Sequence, residues 1–290
     1  MKKFFVYVFM LFISISACAN EPISVLIVTG QNGAHNWQAS HVLLQQFLNE
    51  SGLFKVDVAT SPPRGEDMSG FSPNFSAYQV VVLDYDGDSW SETTNAAFLD
   101  YVRKGGGVVV YHAANNPFGN WREYNEIIGL GGWGGRNERH GPYVYFKDGV
   151  EVRDNSPGVG GSHGRQHEFT IDLRDKEHPI TQGLPPSWKS CMDELYDRLR
   201  GPALNMTILA SAFSDVETGG TGRDEPVLMT IKWGEGRIFH TVLGHIGGRG
   251  PNHPAVMNCP SFIVTFLRGT EWAATGKVTQ KVPENFPNNN

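Results

Sequence analysis

Three uninterrupted apolar runs constrain this chain more than any other feature. Ile23-Ser-Val-Leu-Ile-Val-Thr29, Tyr78-Gln-Val-Val-Val-Leu-Asp84 and Val108-Val-Val-Tyr-His112 are short, rich in β-branched residues and free of polar alternation. Strands of that kind are buried on both faces, which is the condition of a parallel sheet covered by helices. Parallel neighbours need crossover connections, and helical segments stand in the right places. Trp37 to Glu50 carries Trp37, Val42, Leu44, Phe47 and Leu48 at roughly helical spacing and stops at Ser51-Gly52, while Thr93 to Lys104 stops at Gly105-Gly-Gly107. With Phe54 to Ala59 as a further strand, the pattern predicts an α/β fold with a doubly wound, mostly parallel sheet. Ligands of such sheets bind outside the carboxyl ends of the strands.

The remainder of the chain reads as one domain, residues 21–272, with long Gly-rich loops. The Gly surplus of the chain, 34 residues in all, gathers after Thr29, around Gly131 to Gly164, and around Gly219 to Gly248. Strand-like segments return at His167–Asp172, Thr207–Ala212, Val227–Lys232 and Gly236–Leu243, and Phe262–Leu267 suits a last helix. The Pro/Asn-rich stretch within 273–290 is expected to be disordered. A net charge of −6 with no basic run beyond Lys2-Lys3 excludes a nucleic-acid partner.

Residues 1–19 read as a signal peptide, because a basic start precedes an apolar run too short to span a bilayer. Two cleavage readings fit. Ile15-Ser-Ala-Cys18 matches a lipobox with Cys18 lipidated, and Ala17-Cys-Ala19 matches ordinary signal cleavage. The expectation is an exported protein, periplasmic or an outer-membrane-associated lipoprotein, touching membrane only through the Cys18 anchor. Cys191 and Cys259 remain as a candidate disulfide that spacing alone does not decide, and neither lies in a CxxC or elbow setting suited to thiol catalysis.

Histidine carries the chemistry of this sequence. His35 follows the first strand, His112 caps the fourth, and His245 follows the strand ending at Leu243. Strand ends converge on one rim, so these imidazoles are placed for proton transfer or metal ligation. His163-x3-His167 has the spacing of half a metal site, with Glu194 or Asp193 as the acidic ligand, and such N/O donors suit a divalent Zn, Mn, Fe or Ni ion. His41, His178, His240 and His253 read as structural. Glu194 is a candidate base or ligand, Arg198 and Glu225 are candidate substrate contacts, and Trp37 and Trp133 offer indole faces to a sugar ring.

Five motifs in fixed order then resemble the ThuA-like (trehalose utilisation) family. They are Gly30-x4-His35-x-Trp37, Tyr111-His-Ala-Ala114, His178-Pro-Ile-Thr-x-Gly-Leu-Pro185, Asp193-Glu-Leu-Tyr196, and Gly234-x-Gly-Arg-x-Phe-x-Thr-x-Leu-Gly-His245. The resemblance implies a class I glutamine amidotransferase-like, flavodoxin-like fold. Its elbow falls at Val110-Tyr-His-Ala113, with His112 where an amidotransferase needs a thiol, so that chemistry is disfavoured. It also implies a role in carbohydrate catabolism, with His35, His112, Glu194 and His245 as the functional positions. The expected activity is that of an enzyme cleaving or isomerising a small saccharide or 3-keto-sugar, as a hydrolase, lyase or isomerase. The alternative is a non-catalytic carbohydrate-binding lipoprotein.

Overall fold

A computed structural model describes residues 21–248 and 254–287. The leader with Cys18, and His253, lie outside the described residues. In chain order the elements are β1 (Ile23–Gly30), α1 (Trp37–Glu50), β2 (Phe54–Thr60), β3 (Val80–Tyr85), α2 (Glu92–Arg103), β4 (Gly107–Tyr111), α3 (Arg122–Ile128), β5 (Tyr143–Lys147), β6 (Val150–Asp154) and β7 (Ser162–His163). There follow β8 (Thr170–Leu173), β9 (Ser187–Lys189), β10 (Tyr196–Asp197), β11 (Met206–Ser214), β12 (Arg223–Trp233), β13 (Gly236–Thr241) and α4 (Pro260–Thr275).

The main sheet runs β2-β1-β3-β4-β13-β12-β11-β8-β9. From β2 to β13 the strands are parallel, and from β13 onward each pairs antiparallel with its neighbour. Val25, Ile27 and Val28 of β1, Val80 to Val82 of β3 and Val108 to Val110 of β4 are fully buried, as unbroken apolar runs require. From β1 the chain steps outward to β2, and from β3 it steps the other way to β4. Right-handed crossovers in opposite directions place α1 and α2 on opposite faces, and the crevice opens where the direction reverses, between β1 and β3. The fold is the doubly wound α/β sheet expected.

Several local expectations change. The segment 115–164, expected to be Gly-rich loop with one short helix at Glu123–Ile128, has that helix as α3 and further regular structure beyond it. It contains the hairpin β5–β6, turned by Asp148-Gly149 with φ of 52° and 79°, the paired positive φ of a type I′ turn. Two buried arginines pin the Gly-rich loops around it. Arg136 donates to the carbonyls of Gly132 and Pro117 and to Asn125 Oδ1, and Arg200 donates to the carbonyls of Gly141, Ser156 and Gly158.

The carboxyl-terminal stretch is ordered as far as Pro287. Thr279 donates its N–H to Glu271 Oε1 at 2.7 Å, Gln280 supplies a carbonyl to buried Arg268, and Phe286 packs edge-on against Trp188 at 5.4 Å. Composition suggested disorder because the segment is polar. Two buried charges on α4 need its backbone groups as partners, and that fixes it. Cys191 and Cys259 form a disulfide, with Cα atoms 6.1 Å apart. The bond ties the loop before Asp193 to the start of α4.

Candidate functional site

Three strand ends and one loop deliver the site. After β1 the chain turns through Gly30-Gln31 and reaches His35, whose backbone N–H and Nδ1 both bond Asn32 Oδ1 at 3.0 and 3.2 Å. Asn32 thereby holds the Nδ1 proton and leaves Nε2 bare, facing the Tyr196 hydroxyl at 3.2 Å. His112 stands at the end of β4 with φ of 44°, a left-handed conformation that a non-glycine residue adopts at a cost of roughly 1–3 kcal/mol. Its Nδ1 donates to the Val242 carbonyl at 2.6 Å, so Nε2 is the free nitrogen. That nitrogen lies 3.2 Å from His245 Nδ1.

His245 follows β13 and Gly244. Gly244 has φ of +97°, and a Cβ there would meet the rings of Phe262 and Tyr111 at 2.7 Å, so the turn that aims His245 needs glycine. The loop after the disulfide completes the group. Asp193 is buried and accepts the backbone N–H of Glu194, Gly244 and His245 at 2.8, 2.9 and 3.0 Å, locking the Glu194 loop to the His245 turn. Glu194 then sets Oε1 3.3 Å from His245 Nδ1 and Oε2 3.6 Å from His163 Nδ1.

His35, His112, Glu194 and His245 therefore offer ligand atoms that all lie within 4.8 Å of one another. Protonation states match that use. Burial, reinforced by His245, lowers His35 to about 4, and burial with His35 close by holds His112 well below an ordinary histidine. Burial alone would raise Glu194, but the hydrogen bond and charge of His245 outweigh it and bring it below the usual glutamate value. The lowered His35 and His112 imidazoles beside an ionised carboxylate are donors suited to a divalent transition-metal ion.

His35 and Glu194 of this group line a cleft of about 440 Å³, while His112 and His245 are buried. Its wall includes Asp86, Asn116, Phe118, Trp133, His163 and Tyr196. Phe118 and Trp133 have φ of 59° and 47°, so backbone strain gathers around this cleft as it does at His112. Trp133 stands edge-on to Tyr196 at 4.7 Å.

Other expected site residues lie elsewhere. His167 is not part of the metal-competent group. Its Nδ1 donates to the Arg165 carbonyl and its ring packs on Phe169, because β7 and the following turn separate i from i+4 where a helix would align them. His163 reaches only Glu194, at the cleft mouth. Trp37, first residue of α1, stacks on His41 outside the cleft wall. Arg198 is exposed and does not line the cleft. Glu225 is buried beneath the β7–β10 ribbon, bonded by Thr221 Oγ1 at 2.8 Å. Asp86, Asn116 and Asn32 escaped the sequence reading. For Asp86 a signal existed, since it follows β3 as His35 follows β1.

An α/β sheet whose elbow presents a strained histidine, joined by two histidines and a glutamate from neighbouring strand ends and a tethered loop, defines the class. The chain belongs to the ThuA family, described as trehalose utilisation, whose family model matches residues 24–273. It is 59% identical to a ThuA-like protein from Parabacteroides merdae ATCC 43184, whose crystal structure superposes with a TM-score of 0.89 over 92% of this chain and 95% of that one. A ThuA-like protein from Bacteroides uniformis ATCC 8492 shares 17% identity, with a TM-score of 0.56 over 91% and 98% of the two chains. A carbohydrate deacetylase matches with a TM-score of 0.51 and 12% identity over 89% of this chain and 33% of its own. These last two likenesses concern the fold alone. No curated protein matches the chain in sequence.

Proposed function

We propose that this ThuA protein is an exported enzyme of carbohydrate catabolism that acts on a glycoside or 3-keto-sugar. The observation that carries the reading is the gathering of His35, His112, Glu194 and His245 within 4.8 Å, with His35 and Glu194 opening onto a sugar-sized cleft. Those four side chains would hold a divalent cation, Zn, Mn, Fe or Ni by donor type. When bound, it would polarise a carbonyl or hydroxyl oxygen of the substrate.

The chain's own groups supply the rest. A 3-keto group acidifies the adjacent C2 proton, so cleavage needs a base, a polarised carbonyl and an acid for the departing oxygen. His163 stands outside the cation set at the cleft mouth. Its Nδ1 donates to the Gly164 carbonyl at 2.8 Å, leaving Nε2 to exchange a proton with the substrate. Asn32 and Val242 fix the tautomers of His35 and His112, and Asp193 fixes the backbone of His245. Trp133 provides an apolar surface for a pyranose ring. The disulfide fits an oxidising compartment, which supports export.

The test is metal analysis of the purified protein beside its His112→Ala and Glu194→Ala variants, then incubation with native and 3-keto glycosides. Stoichiometric metal in the wild type, its loss in both variants and a matching loss of turnover are expected. Variants that keep metal and full turnover would refute the site. Trp133 in the cleft wall also suits a non-catalytic carbohydrate binder, for which the same assay would return binding without turnover.

A further inference from the structure

Among the described residues, five ionisable side chains line the cleft: His35, Asp86, His163, Glu194 and Tyr196. Four of them are accounted for. His35 and Glu194 belong to the cation group, and His163 exchanges a proton with the substrate from the mouth. Tyr196 keeps its proton, because burial reinforced by Glu194 raises its phenol well above the ordinary tyrosine value. Asp86 is left without a role.

Its placement is not accidental. Asp86 follows the end of β3, which lies between β1 and β4 in the sheet, so it enters the rim between the strand ends that deliver His35 and His112. The loop that carries it is fastened to the turn that leads to His35. Arg64 Nη2 bonds the carbonyls of Asp86 and Gln31 at 2.9 and 3.1 Å, and Gln31 Oε1 accepts the Asp88 N–H at 2.8 Å. A Cβ on Gly87 would lie 2.6 Å from Gln31 Cβ and 2.7 Å from the Tyr85 hydroxyl, so the backbone beside Asp86 is pressed onto that turn. Arg64 uses these donors on backbone carbonyls, and its charge does not offset burial. The Asp86 carboxyl is therefore raised above the ordinary aspartate value. A carboxyl that keeps its proton is a donor, which an ionised one is not.

We propose that Asp86 is the catalytic acid of this cleft, donating a proton to the glycosidic oxygen as it departs. The inference rests on reading the cleft as a 3-keto-glycoside site and assigns the leaving-group proton to one residue. In the step, the C2–H bond breaks and its proton passes to His163 Nε2. The electron pair forms the second C1–C2 bond as the C1–O bond breaks, and the departing oxygen takes the Asp86 proton. An alcohol and an unsaturated keto sugar result, nothing is oxidised or reduced, and both side chains are restored by proton exchange with solvent.

The experiment compares the full-length wild type with Asp86→Asn and Asp86→Glu on methyl and 4-nitrophenyl 3-keto-glucosides, with metal content recorded for every sample and reactions followed by NMR in D2O. Methoxide needs a proton to leave, whereas 4-nitrophenolate does not. General acid catalysis contributes about 10²–10⁴-fold, so kcat of Asp86→Asn on the methyl compound should fall by about that factor, and the loss on the 4-nitrophenyl compound should be smaller by about tenfold or more. Deuterium exchange at C2 and metal content should persist in Asp86→Asn, and Asp86→Glu, which retains an acid, should recover part of the methyl turnover. Equal losses on the two substrates, loss of exchange or metal in Asp86→Asn, or full turnover of the methyl compound by that variant would overturn the acid role and leave the enzymatic reading standing. A wild type that exchanged C2 hydrogen but cleaved neither compound would also overturn it. A wild type that neither exchanged nor cleaved would overturn the enzymatic reading itself, and the role of Asp86 with it.

Discussion

Replacing Glu225 by glutamine should make the protein more stable at alkaline pH and leave it nearly unchanged at acidic pH. Glu225 is 2% exposed, and burial, with Asp197 adding to it, raises its carboxyl from 4.5 to about 8 against the opposing bond from Thr221. The folded state therefore holds a proton that the unfolded chain gives up above its ordinary value. The stability this confers is fully present below about pH 4.5 and is lost as pH rises through about 8. Between about pH 5 and pH 9 the linkage amounts to about 4 kcal/mol, an upper figure because local rearrangement relieves part of it. The glutamine side chain would keep an oxygen for Thr221 and cannot ionise. Urea unfolding of both proteins across that range isolates the group, since every other titration is shared. The wild type should lose up to about 4 kcal/mol more than the Glu225→Gln variant, and the gap should open steadily from about pH 5, mostly before neutrality, and level off above about pH 8. Parallel stability curves, or a variant that lost more than the wild type, would refute the reasoning. The ribbon above Glu225 carries His163 and Tyr196, so the same ionisation is expected to loosen one wall of the cleft.

Other outcomes follow from the same contacts. Reducing the Cys191–Cys259 bond, which closes a loop of sequence separation 68, should cost up to about 4 kcal/mol and lower the melting temperature by calorimetry. An unchanged melting temperature after verified reduction would contradict it. Asp193→Asn sets an amide NH₂ against the Gly244 N–H and should cost about 2–3 kcal/mol in denaturant titrations. Because it also frees the His245 turn, metal affinity should fall even though Asp193 is not a ligand. Truncation after Gly276 strips the N–H partners from buried Glu271 and a carbonyl from Arg268, so the melting temperature should drop measurably. A truncated chain as stable as the full one would return that segment to a passive tail.

Why some of this site was legible and some was not comes down to what places each residue. His35, His112 and His245 are set by where parallel strands end, and strand ends are visible as apolar runs stopping at Gly or His. Glu194 belongs to a loop; its acidic segment marked it as a candidate base or ligand, and the family pattern grouped it with the three histidines. The disulfide at Cys191 and the N–H cage around Asp193 are the physical agents that hold it, and both are three-dimensional facts with no local sequence signal. The hairpin at Asp148-Gly149 is the reverse case, because that dipeptide between Tyr143–Lys147 and Val150–Asp154 is a strong turn signal that the Gly-rich surroundings obscured.

His163 and His167 show how a spacing argument fails when its element is wrong. An x3 interval aligns two imidazoles only on a helix, and here the first lies on a two-residue strand and the second in the loop beyond it. Asp86 shows how a topological argument succeeds when carried to every strand. If the ends of β1, β4 and β13 each supply a functional side chain, the end of β3, which lies between β1 and β4, must face the same crevice. The carboxylate found there, Asp86, lines the same cleft as His35 and Glu194. Placement by strand ends therefore predicts which residues meet, whereas their roles are decided by what each has left to donate or accept after the loops have taken their share.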